Sequence, residues 1–120
     1  MKKIELIEEA IREQGRSLKE LGINRTLYWA YLYSKEAENE LIDFGEVVWD
    51  YDIPELAAFF KEQGIDEFTI SSSFSGLLET LAGFEKEGFK VAAMTTVRAR
   101  YTNYLTGEKA IIPAIKLVRN

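Results

Sequence analysis

Two stretches of this 120-residue chain hold side chains that could do chemistry. The first is Ser71-Ser72-Ser73-Phe74-Ser75-Gly76, a run of hydroxyls ending in glycine. Where a strand turns into a helix, Ser73, Ser75 and the amide of Gly76 would meet the positive end of the helix dipole and could hold an anion. The spacing is neither that of a phosphate-binding loop, which needs Gly-Lys-Ser/Thr, nor that of a dinucleotide fingerprint. An ordinary N-cap at Ser73 or Ser75 would use the same residues. The second stretch is the acidic one around Asp50, Asp52 and Glu55. Paired carboxylates can do acid–base work or hold a hard cation. Among twenty Asp and Glu residues, however, some pair is inevitable.

Two absences narrow the chemistry. The chain has no Cys, which excludes disulfides, thiolate metal sites and thiol nucleophiles. It has no His, which excludes a Ser-His-Asp triad, imidazole-bound metal and any side chain that ordinarily titrates near neutrality. A serine nucleophile would have to rely on Lys or a carboxylate as its base. No catalytic, cofactor-binding or metal-binding residue is assigned, no cofactor is expected, and the expectation is a non-enzymatic protein.

Charge is distributed unevenly. Between Glu36 and Glu67 there are eleven acids and one base, Lys61, whereas Lys90 to Asn120 carries six bases and one acid, Glu108. An acidic surface of this kind could imitate a phosphate backbone and occupy another protein's nucleic-acid groove. Helix capping and a solvated helix face account for the same acids. The net charge of −5 argues against direct binding of nucleic acid or of an anionic membrane.

The elements that must position these residues can be read from periodicity. Ile4, Ile7 and Ile11 mark an amphipathic first helix, which Gly15 can close. Ser17-Leu18-Lys19-Glu20, Asp43-Phe44-Gly45-Glu46 and Asp52-Ile53-Pro54-Glu55 each read as a capping box. Short helices are therefore expected from about residues 17, 43 and 52. The run Arg25 to Ser34 fits either a helix with Leu27, Tyr28, Tyr31 and Leu32 on one side, or a strand with Leu27, Trp29, Tyr31 and Tyr33 on one side. Asn24 as an N-cap and the Lys35-Glu36-Ala37-Glu38 tail favour the helix. Trp29 and Tyr33 then lie off the apolar stripe, as interface anchors or as outlying core.

Further on, Phe68-Thr69-Ile70-Ser71 is a strand, and Leu77, Leu78, Leu81 and Phe84 mark a helix closed by Gly88. Val91 to Tyr101 is a long strand, and Ala110 to Val118 returns as its hairpin partner. Pro113 donates nothing to a ladder, which places the last strand at an edge or turns its N–H side outward at that point. The expected architecture is α+β, with a helical N-terminal half packed on one face of a small mixed sheet of β-α-β-β order. A right-handed crossover would join the first two strands. Residues 1–120 read as a single domain.

At Asn24-Arg25-Thr26-Leu27-Tyr28, Glu40 to Phe44, Val48 to Glu55 and Glu67 to Ser72, the chain resembles a family of small uncharacterised bacterial proteins of phages and conjugative elements. The resemblance implies an accessory protein of a mobile element and carries over no catalytic residue. The charged N-terminus has no signal-peptide core, and no apolar run is long enough to cross a membrane, so a cytoplasmic protein is expected. The leading functional expectation is contact with an unidentified protein partner through Trp29, Tyr33, Asp50, Asp52 and Glu55. A homodimer through the edge strand ending Ile115-Lys116-Leu117-Val118 is a second form of contact. The alternatives are a counter-defence inhibitor with a nucleic-acid-mimicking acidic surface, and an anion-binding domain or enzyme at Ser71–Gly76.

Overall fold

The computed structural model describes residues 25–46, 48–72, 75–102 and 104–120. The expected first helix, the Ser17 capping box, the Asn24 cap and Ser73 lie outside the described residues. The ambiguous run is a helix, α1 (Arg25–Glu36). Leu27, Ala30, Tyr31 and Ser34 are buried, a spacing that a helix gathers onto one side. A strand would have set exposed Trp29 on the same face as buried Leu27. Glu38, at φ +63°, then takes the left-handed position usually given to glycine. Its amide donates to the Lys35 carbonyl at 3.1 Å, and that of Asn39 donates to Ser34 at 2.9 Å, which closes the helix.

The helix expected from Asp43 is absent. Asp43–Phe44 is instead a two-residue strand, β1, paired in parallel with Thr69 and Ile70. The Asp43 carboxylate finds two side-chain hydroxyl donors across that pairing, so it caps no helix. The Asp52 expectation fares better. A 3-10 turn (Asp50–Asp52) runs into α2 (Ile53–Gln63), with Pro54 in the first turn. Asp52 nevertheless makes no side-chain cap; its carboxylate accepts from Thr26 Oγ1 at 2.9 Å and ties α2 to α1. At the other end, Gly64 is left-handed at φ +72°, and the Ile65 amide donates to Phe60 at 2.8 Å. Ile65 is fully buried, which completes the glycine-plus-apolar helix stop.

Strand β2 (Glu67–Ile70), helix α3 (Leu77–Lys86), and strands β3 (Phe89–Thr102) and β4 (Lys109–Arg119) complete the fold. The mixed sheet runs β1-β2-β4-β3, with β4 antiparallel to both of its neighbours. The fold is α+β. The C-terminal strand is central and not at an edge, since Ile115 to Val118 pairs with β2 on one side and β3 on the other. A dimer built on an open ladder at those residues has no ladder left to use. Pro113 is tolerated because β2 stops opposite Ile115, so β4 is paired there with β3 alone, at Thr96. Among the described residues the edge beyond β4 belongs to β3, which carries a register shift between Val91 and Ala93.

One face of the sheet contributes Phe44, Phe68, Ile70, Phe89 and Leu117 to a buried cluster that Ile53, Leu56, Phe60 and Phe84 close from α2 and α3. Phe68 is its hub, with ring centroids 4.9 Å from Phe60, 4.9 Å from Phe84, 5.4 Å from Phe89 and 5.6 Å from Phe44. Leu77 and Leu81 are packed against the cluster, but Leu78, expected on the same stripe, is exposed. No described helix is long and apolar enough to cross a membrane.

Candidate functional site

The parallel strands β1 and β2 end side by side, and the segments that follow them gather at their carboxyl ends. Crevices of open α/β sheets form at such strand ends because the loops there diverge. Three cavities meet at Glu46, of about 440, 500 and 280 Å³. All three draw their walls from these loops.

The smallest lies between α1 and Gly45–Glu46, lined by Trp29 and Tyr33. Their rings, one helical turn apart, sit 5.6 Å from each other, and Trp29 is 42% exposed. The 500 Å³ cavity carries Trp49 and Tyr51 beside Glu46, Asp50 and Glu79. These two rings lie 6.4 Å apart and only 8° from parallel, and both are exposed. Ser75 and Gly76 line the same cavity. Gly76 occupies the N-cap position of α3 without any side-chain cap, and the three carboxylates around it set the local field against an anion.

Of the expected surface residues, then, Trp29, Tyr33 and Asp50 converge on this end of the molecule. Glu55 is exposed on the first turn of α2 but lines none of the three cavities. Asp52 is a correction: it is buried, with its carboxylate taken by Thr26 on α1, and adds little to the surface.

The 440 Å³ cavity holds a group that sequence reasoning misassigned. Asp43, 9% exposed, lies on its wall with Ser34 and Ser71. Ser71 Oγ donates to Asp43 Oδ2 at 2.6 Å, and Thr69 Oγ1 donates to Oδ1 at 2.7 Å. The Asp43 amide donates to Ser34 Oγ at 2.8 Å. Burial pushes the Asp43 carboxyl above its ordinary range, against the smaller opposing pull of the Ser71 and Thr69 hydrogen bonds. The available signal was an acid inside the apolar run Leu41-Ile42-Asp43-Phe44, but Glu46 three residues on made it resemble a cap. Trp49 and Tyr51 are likewise assigned no role by the sequence reading, although they stand two residues apart beside the acidic stretch.

Among the described residues no group of three or more acids is assembled to hold a metal ion. The chain belongs to the DUF7698 family, a domain of unknown function whose model matches residues 26–119. That match includes every residue of the three cavities. No curated protein and no solved structure matches the chain.

Proposed function

We propose that this is a non-enzymatic recognition domain that works by protein–protein contact, with the strand-end face as its contact surface. The observation that carries the reading is the convergence of exposed Trp29, Trp49 and Tyr51 with Glu46, Asp50 and Glu79 around adjoining cavities. Large aromatics left in solvent are the side chains that most often anchor interfaces. Carboxylates between them suit a partner rich in Arg and Lys, whose cations can pair with acids and lie over aromatic faces. The resemblance to mobile-element proteins supports a role as a cytoplasmic accessory factor in a bacterial host.

The test is capture of binding proteins by the wild-type chain, by Trp29→Ala with Trp49→Ala, and by Glu46→Gln with Asp50→Asn. A partner retained by wild type and lost with the tryptophan pair supports the reading; retention by both pairs retires it. The nucleic-acid mimic is the rival reading of the same acids. It requires that duplex DNA compete for the captured partner and that Asp50→Asn with Glu55→Gln weaken binding, whereas the tryptophan pair should matter little.

A further inference from the structure

We propose that the cavity walled by Asp43 and Ser71 binds a primary ammonium group, whose charge pairs with the Asp43 carboxylate. The inference concerns a different cavity from the aromatic one and stands without the recognition reading.

The argument rests on hydrogen-bond direction. Ser71 spends its single hydroxyl proton on Asp43 Oδ2, and Thr69 spends its own on Oδ1. Ser34 Oγ accepts the Asp43 amide and points its proton back at the Asp43 carbonyl, 3.4 Å away. With these three hydroxyl protons turned inward, what remains around the Asp43 side chain is acceptor lone pairs on a buried carboxylate and on Ser71. Such a surface matches a ligand that only donates, and an ammonium group has three donors and no acceptor.

The charge points the same way. Among the described residues no Lys or Arg lies within ion-pair distance of Asp43. Arg98 lines the cavity but is turned to Glu38, with Nη1 3.1 Å from the carbonyl oxygen and 3.9 Å from the carboxylate. A buried carboxylate without a cation is costly to a fold, and here it faces a cavity of about 440 Å³. Tyr33 and Tyr101 line the same space and give a cation aromatic walls, while Glu46 adds a second negative charge at the rim.

An ammonium group can come from a free small amine or from a lysine side chain of a partner, so the experiment has two arms. The full chain is titrated by NMR with putrescine and L-lysine in one arm and with the tripeptide Gly-Lys-Gly in the other. The proposal expects saturable shifts at Ser71, Asp43 and Tyr101 in at least one arm, and the responding arm identifies the source. Asp43→Asn keeps the shape and removes the charge; it should weaken binding about ten- to a hundredfold, as loss of a charged hydrogen bond does. Ser71→Ala is the second variant and should weaken binding by less. Trp49→Ala and Asp50→Asn, neither of which lines this cavity, should leave affinity unchanged and so separate this site from the recognition face. No saturable shift in either arm, or binding that survives Asp43→Asn, overturns the proposal.

Discussion

Asp43 shows how one side chain can work against the fold that houses it. Its folded carboxyl titrates above the ordinary value of 3.8, so between that value and its own the native state holds a proton that the unfolded chain has released. Stability from this group is therefore fully present below 3.8 and is lost as pH rises through the folded value. Asp43→Asn cannot ionise; one of the Ser71 and Thr69 hydroxyls can still donate to its carbonyl oxygen, while the other must turn and accept from its amide. The stability of the variant relative to wild type should accordingly climb as pH rises from 3.8 through the folded value and then level off. Urea denaturation of both proteins across that range checks it. A difference that stays flat, or falls, would mean that the hydroxyl donors outweigh burial. Glu46 and Arg98 line the same cavity, so Glu46→Gln is the control that separates through-space charge from burial of Asp43 itself.

Between elements, the closest attention belongs to the turn that ends α1. Asn39 lays its carboxamide along the edge strand: Nδ2 donates to the Arg98 carbonyl and Oδ1 accepts the Arg98 amide, both at 2.9 Å. The side chain thus stands in for a neighbouring strand where β3 has none among the described residues, which blunts an edge that would otherwise invite pairing. Asn39→Ala should cost about 1 to 2 kcal/mol for the two bonds, and the Arg98 amide should lose its protection from hydrogen exchange. Glu38 supplies the left-handed turn that sets Asn39 in place, at the ordinary cost of an L-residue there. Glu38→Gly should therefore stabilise by a few tenths to about 1 kcal/mol in thermal unfolding, since the surrendered ion pair with Arg98 is exposed and weak. None of this was legible beforehand, because side-chain mimicry of a strand leaves no periodic trace. Local signals did fix the α2 boundaries, from Pro54 to Gly64, and the strand–helix–hairpin order of the C-terminal half. They failed at β1, where two residues are too few for any period. They failed again at β4, whose central position depends on which strands pair across the sheet and not on its own residues. The candidate site was legible in part: Trp29, Tyr33 and Asp50 were in view, whereas Asp43, Trp49 and Tyr51 acquire their meaning only when the strand ends come together.

At the level of the whole molecule, the charge asymmetry along the sequence is partly folded against itself. Lys116 on β4 meets Glu67 on β2 at 3.0 Å, and Arg98 on β3 turns to Glu38. These are surface pairs of small worth, so cohesion has to come from apolar burial. The aromatic residues are divided accordingly. Phe44, Phe60, Phe68, Phe84 and Phe89 are buried together, while Trp29, Trp49, Tyr51, Tyr101 and Tyr104 are left outside. Buried Tyr31 apart, the division follows chemistry, because a buried Tyr or Trp needs a partner for its O–H or N–H and Phe needs none. Two substitutions of similar size should therefore diverge. Phe68→Ala empties the hub of the cluster and should cost about 3 to 5 kcal/mol, a large part of the roughly 5 to 15 kcal/mol that holds a domain of this size. Trp49→Ala, with its ring stacked on Tyr51 in solvent, should cost within about 0.5 to 1 kcal/mol. Guanidinium denaturation of the two variants against wild type reads the difference directly. If Trp49→Ala were as damaging as Phe68→Ala, that indole would be part of the core and the strand-end face would lose the residue best suited to anchor a partner. If it is nearly silent, the fold keeps a large aromatic in water that it does not need for stability, as the proposed contact face requires.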